Sequence, residues 1–190
     1  RTTASAQTVT AVGLVGGDTT TALSQTFNLK DASSLNGRTL TVGSFTVSDG
    51  NSGGNYSISS ATAAGTITQL GLTVTGLSGV NRTYDGGTVA GLTGTASIAA
   101  GIGGDTVTLG GTASGSFVTK HVGTGKAITV TGLSISGADA ANYSFTQPVG
   151  LSANVTQKAL TVNAIADTKT YDRTTASAQT VTAVGLVGGD

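Results

Sequence analysis

Residues 173–190, RTTASAQTVTAVGLVGGD, repeat residues 1–18 letter for letter. The chain is therefore one period of 172 residues followed by the opening of a second copy. Self-similarity on this scale is the signature of a tandem array. Near-identical copies serve length or valency well and serve a unique catalytic pocket poorly. A second, degenerate repeat lies inside the period. Thr83-Tyr84-Asp85 recurs as Thr170-Tyr171-Asp172, Gly16-Gly17-Asp18 as Gly103-Gly104-Asp105, and Asn55-Tyr56-Ser57 as Asn142-Tyr143-Ser144, each 87 residues later. Leu72-Thr73-Val74 matches Leu160-Thr161-Val162 at an offset of 88, which places a one-residue slip nearby. Two different modules of about 86 residues thus alternate along the array.

Apolar residues alternate with polar ones, as in half-buried strands. Leu40/Val42, Val107/Leu109, Ile128/Val130, Leu151/Ala153/Val155, Leu160/Val162, Tyr56/Ile58 and Tyr143/Phe145 all follow this rule. Between them stand the turn signals Asn36-Gly37, Asp49-Gly50, Asp85-Gly86 and Gly110-Gly111. The expected fold is all-β: tandem small β-sandwich modules, roughly Ig-like in size, arranged end to end. A continuous β-solenoid is the alternative, but its repeat runs nearer 20–30 residues and no such period is present.

The period divides into residues 1–69, a module lacking its first strand; 70–157, the second module; and 158–190, the start of the next copy of the first. No Pro- or Ser-rich linker separates them, so neighbouring modules are expected to touch and to form a stiff rod. The opening strand of the first module, equivalent to 158–172, does not precede residue 1, whereas a copy stands at the far end of the chain. Either the chain is a window cut from a longer array, or strands are shared between neighbours.

Composition agrees with this class. Charged residues are only 9%, and every one of the nine acids is aspartate. Glu, Lys, Gln and Arg furnish exposed helix faces, so their scarcity removes the material for helices, while the abundant Thr and Val favour strands. With 37% hydrophobic residues and a mean hydropathy of +0.18, the chain can build a core, although four Phe and four Tyr make it a thin one. A net charge of zero argues against nucleic acid or an anionic membrane as partner. No run approaches the roughly 18 apolar residues of a membrane span. The absence of cysteine fits a bacterial or cytosolic protein better than a small eukaryotic secreted domain.

Thr83-Tyr84-Asp85-Gly86, Gly103-Gly104-Asp105-Thr106-Val107, Val122-Gly123-Thr124-Gly125-Lys126, Val130-Thr131-Gly132-Leu133 and Gly137-Ala138-Asp139-Ala140-Ala141-Asn142-Tyr143 resemble the glycine-rich bacterial repeats called YDG or MBG domains. The resemblance covers about 70–157 closely. The other module is looser and reads Tyr171-Asp172-Arg173 where the family has Gly. It implies a place in very large filamentous-haemagglutinin-like adhesins exported by two-partner secretion, extracellular on the bacterial cell surface or in the biofilm matrix. It carries no catalytic residues to transfer.

The residues themselves offer little chemistry. His121 is the single histidine, and Lys120-His121-Val122-Gly123 has no nucleophile-elbow pattern beside it. Gly125-Lys126 lacks both the upstream glycine and the following Ser or Thr of a phosphate loop. Asp49 and Asn51, in the loop Asp49–Asn55, are the best calcium candidates. Calcium takes six to eight oxygens, however, and this loop brings one carboxylate. Aspartate as a turn former is the plainer account. Tyr84, Tyr171, Tyr56 and Tyr143 hold equivalent places in the two modules. Each is expected to pack its ring while its hydroxyl ties down a loop, the alternative being a sugar-stacking or module-contact surface.

No enzyme and no cofactor are expected. The expected function is structural, the stalk or filament of a surface or matrix adhesin. The alternative is a repeat that itself binds exopolysaccharide or identical chains by avidity. The expected partners are neighbouring repeats of the same chain.

Overall fold

The computed structural model describes residues 3–188. Its regular elements are strands, with one short 3-10 turn. In chain order they are β1 (Thr19–Thr21), β2 (Gln25–Phe27), β3 (Arg38–Val42), β4 (Thr46–Ser48), β5 (Ala63–Gly65), β6 (Leu70–Gly79), β7 (Arg82–Thr83), β8 (Val89–Ala90) and β9 (Leu92–Ile98). There follow β10 (Thr108–Phe117), β11 (Gly123–Ser136), the 3-10 turn Ala140–Asn142, β12 (Tyr143–Thr146), β13 (Ser152–Thr156), β14 (Thr161–Asn163) and β15 (Thr182–Val184). The all-β expectation holds.

The chain packs into two compact units. One takes the segment up to Leu72 with Ala99–Leu109 and Ile135–Thr146; the other takes Thr73–Ile98, Gly110–Ser134 and the segment from Gln147 onward. In the first, β2-β3-β5 form a three-stranded antiparallel sheet and β1 pairs with β4. Its buried hydrophobic side chains among the described residues are Leu72 and Tyr143. In the second, the core gathers Ala90, Phe117, Ile128, Val130, Ala153 and Val155, with Tyr84, Leu92, Ala113 and Leu151 packed against them. The six buried core residues sit on β8, β10, β11 and β13 of a five-stranded sheet ordered β7-β13-β11-β10-β8. Alternation puts them on one face: Ile128 and Val130 are buried while Ala127, Thr129 and Thr131 are exposed.

A third sheet has the order β12-β6-β9, with β6 at its centre. β6 runs antiparallel to β9, pairing Val74 with Ile98 and Thr75 with Ser97, and the register shifts before Leu77. The inward phase of β6 moves by one residue at Gly76: Leu72 and Val74 point inward before it, Leu77 and Gly79 after it. Gly132 does the same in β11, between Val130 and Leu133. Both glycines have positive φ, as expected of bulges that re-aim a strand.

Two local expectations fail. Gly110-Gly111 is no turn; it lies inside β10, where Gly111 packs its Cα against the backbone of Gly132. Tyr56-Ser57-Ile58 forms no strand. Its counterpart 87 residues on, β12, pairs with β6, and β6 corresponds to residues 158–165 of the next module. Among the described residues the one copy of that segment, at β14, pairs with β15, so Tyr56–Ile58 has no ladder to join.

Candidate functional site

The Tyr-Asp turns are built by one device used twice. Asp85 Oδ1 accepts the Gly87 N–H at 2.9 Å and the Arg82 Nη1, while Arg82 Nη2 donates to the Gly87 carbonyl at 2.5 Å. The Gly87 N–H and then Arg82 hold the Asp85 carboxyl below its usual range. Eighty-seven residues on, Asp172 Oδ1 accepts the Thr174 N–H at 2.9 Å, and Lys169 Nζ reaches both Asp172 at 3.0 Å and the Thr174 carbonyl at 2.9 Å. A cation three residues before the aspartate thus ties the carboxylate to the carbonyl two residues after it. Gly86 sits at φ +81°, and Arg173 takes the same left-handed conformation at φ +63°. Arginine there carries a steric cost of about 1 kcal/mol that glycine avoids; the Lys169–Asp172–Thr174 bracket holds the turn regardless.

The tyrosines of these two turns meet different surroundings. Tyr84 packs against the core of the second unit, with Lys120 Nζ 5.8 Å from its ring centre, whereas Tyr171 is 85% exposed. Arg82 lies over Phe117 at 5.5 Å and Lys126 lies near the same ring at 5.3 Å. Lys126 Nζ also donates to the carbonyls of Thr119 and His121, closing the loop that carries His121.

The second pair of tyrosines does identical work in both modules. Tyr143 donates to Asp105 Oδ2 at 2.6 Å and accepts the Ile102 N–H at 2.8 Å. Tyr56 donates to Asp18 Oδ2 at 2.5 Å and accepts the Val15 N–H at 3.0 Å. The Gly-Gly-Asp loop closes on itself in each: Asp105 N–H to the Ile102 carbonyl, Asp18 N–H to that of Val15. Gly103-Gly104 and Gly16-Gly17 make that tight return, and Asp105 or Asp18 anchors it to the ring. The bond to Asp18 raises the Tyr56 phenol above its ordinary value.

Asp49 is a loop former. Its Oδ1 accepts the N–H groups of Asn51 and Gly53, both at 2.8 Å, and its Oδ2 accepts that of Asn55 at 3.1 Å. The Gly53 N–H leads these in holding the Asp49 carboxyl below its usual range. Asn51 turns its amide to Asn55 Oδ1 at 3.0 Å. Among the described residues no three His, Cys, Asp or Glu side chains converge.

Between β6 and β12 the strands, the Tyr84-Asp85-Gly86 turn and the Tyr143–Asp105 lock form one continuous stretch of sequence. That stretch matches the YDG domain family over residues 68–150. Residues 68–150 form a YDG-type domain. No curated protein and no solved structure matches the chain. Within the YDG domain, the sequence motifs prove to be turn brackets and loop locks, with the carboxylates engaged by backbone N–H groups, a cation or a phenol. Arg82 and Lys169 were not singled out from the sequence. Their signal was available: cations at the same offset of 87, each three residues before a Tyr-Asp aspartate.

Proposed function

We propose that this chain is a structural repeat from the stalk or filament of a large bacterial adhesin, extracellular and exported by two-partner secretion. The observation that carries the reading is the duplication of one scaffold. The same Tyr–Asp lock and the same Asp turn recur 87 residues apart, inside a period that itself restarts at residue 173. Such a chain repeats its supports rather than its reactive groups, which favours length over catalysis. The YDG match supports the family side of the reading. On it, small sandwich modules follow one another without linkers, with residues 1–69 a module lacking its first strand, 70–157 the second module and 158–190 the start of the next copy of the first, and no catalysis or cofactor is assigned.

The test is a purified chain of two full periods. Small-angle scattering that gives a rigid, extended particle supports the stalk, and a compact or freely jointed particle sinks it. Saturable, avidity-dependent binding of the same array to itself or to the source's matrix polysaccharide would move the reading to the adhesive repeat.

A further inference from the structure

Within the segment that occurs twice in this chain, residues Thr10–Val12 and their copy Thr182–Val184 are paired in one occurrence only. The second occurrence supplies β15, which pairs with β14 in the register Thr161–Val184, Val162–Ala183, Asn163–Thr182. In its first occurrence the same three residues, Thr10, Ala11 and Val12, form no strand, and Val12 is 96% exposed. Gly185 lies against Ala159, whose carbonyl oxygen would stand 2.6 Å from an added Cβ. Gly13, the identical residue with φ +94° against +112°, has no heavy atom within 4 Å of that position.

The YDG domain shows what belongs there. Residues 10–12 correspond to 97–99 at the end of β9, and 56–59 correspond to β12, both at the offset of 87. Between β9 and β12 runs β6. Residues 9–14 and 56–61 both line an apolar groove of about 490 Å³, the first through Val9, Ala11 and Leu14 and the second through Tyr56, Ile58 and Ala61. The counterpart of β6 is β14 with its flanks, and there the inward residues are uncovered. Leu160 is 52% and Val162 59% exposed, whereas Leu72, the equivalent of Leu160, is 5% exposed.

We infer that this groove receives the segment Lys158–Ile165 of another copy of the 172-residue repeat, as the central strand between Thr10–Val12 and Tyr56–Ser59. Leu160 and Val162 bury in the groove, and the register follows β14–β15: Asn163 opposite Thr10, Val162 opposite Ala11, Thr161 opposite Val12. Strand addition of this kind takes its affinity from main-chain bonds and its specificity from alternate side chains in pockets. The inference stands on the repeated segment and the groove, and does not depend on the adhesin reading.

The test uses the full chain and a fluorescent peptide of residues 158–167. Saturable binding is expected, a scrambled peptide should not bind, and Ala11→Pro should weaken binding roughly tenfold or more by interrupting the receiving edge. Because the chain has no cysteine, register is read directly. Thr10→Cys in the chain should form a disulfide with Asn163→Cys in the peptide and not with Thr161→Cys. Absence of saturable binding, equal binding of the scrambled peptide, or bridging only to Thr182→Cys, which would mean exchange for β14, overturns the proposal.

Discussion

Tyr143 donates its phenol proton to Asp105 at 2.6 Å while accepting the Ile102 N–H at 2.8 Å, so one hydroxyl closes the Gly-Gly-Asp loop from both sides. Its ring is 3% exposed, which leaves no water to replace either bond. Tyr143→Phe keeps the ring packing and deletes both bonds. It should cost about 1–2 kcal/mol, seen as a lower urea midpoint with an unchanged slope. Tyr56→Phe, at the half-buried equivalent, should lower the midpoint less. Equal midpoints for wild type and Tyr143→Phe would show that the lock contributes nothing.

Stability should be bounded on both sides of neutrality. The carboxyls of Asp49, Asp85 and Asp172, held down first by the N–H groups of Gly53, Gly87 and Thr174, and that of Asp167, held down first by the Ser177 hydroxyl, all lie below 3.8. Their charged forms are favoured in the folded state, so that stability is complete above the unfolded value and is lost as pH falls through the folded ones. Tyr56 has the opposite sign. Raised from 10.0 by its bond to Asp18, it contributes fully below that value and loses its share as pH rises through the folded one. The Tm should be flat between about pH 5 and 9 and fall outside. Tyr56→Phe should flatten part of the alkaline fall and leave the acid side as it is. An acid side that stays level down to pH 3 would remove the carboxylates from the account.

Period-two alternation and repeat spacing made the all-β class and the tyrosine pairs legible, because both are written in local residue order. Ala153 and Val155 read as strand residues and lie in β13, with Leu151 just before it. Cross-strand register is set by partners far along the chain, and there the reading stopped. Gly110-Gly111 looked like a turn because glycine serves turns and bulges through the same positive φ. Tyr56–Ile58 alternates like Tyr143–Phe145, yet it has no neighbouring strand to pair with. Arg82 is marked by its offset of 87 from Lys169, but its work on Asp85 and Gly87 depends on the turn already being formed.

At the β6–β9 bulge, Gly94 approaches Gly76 so closely that an added Cβ would stand 2.0 Å from the Gly76 carbonyl oxygen, and Gly94 has φ +94°. Gly94→Ala combines backbone strain with a clash against main chain that cannot rotate away. A loss of about 3 kcal/mol or more is expected. Gly103→Ala is the control, since nothing lies within 4 Å of its added methyl, and it should stay within about 0.5 kcal/mol of wild type. Thermal or urea unfolding of the pair decides it, and a Gly94→Ala protein as stable as the control would mean the bulge can relax.

Calcium should leave the fold as it is. Asp49 spends both carboxylate oxygens on three backbone N–H groups, and Asn51 gives its amide to Asn55. A calcium ion at this loop would meet one carboxylate where several are needed for tight binding. Calorimetric melting in millimolar calcium and in chelator should give the same Tm. A rise in Tm that saturates with calcium and is abolished by Asp49→Asn would show that the loop binds the ion.

The two Tyr-Asp turns make a natural exchange experiment at their cation. Arg82 holds Asp85 and the Gly87 carbonyl and also lies over Phe117, whereas Lys169 holds Asp172 and the Thr174 carbonyl. Lysine therefore suffices for the turn, and the contact of the guanidinium with the Phe117 ring is what arginine adds. Arg82→Lys should keep the turn and lose about 0.5–1 kcal/mol of that contact, while Arg82→Ala should lose about 1–2 kcal/mol more by leaving the Gly87 carbonyl without its donor. Denaturation midpoints rank the three proteins. If Arg82→Lys falls as far as Arg82→Ala, the contact with Phe117 rather than the bracket holds this turn in place.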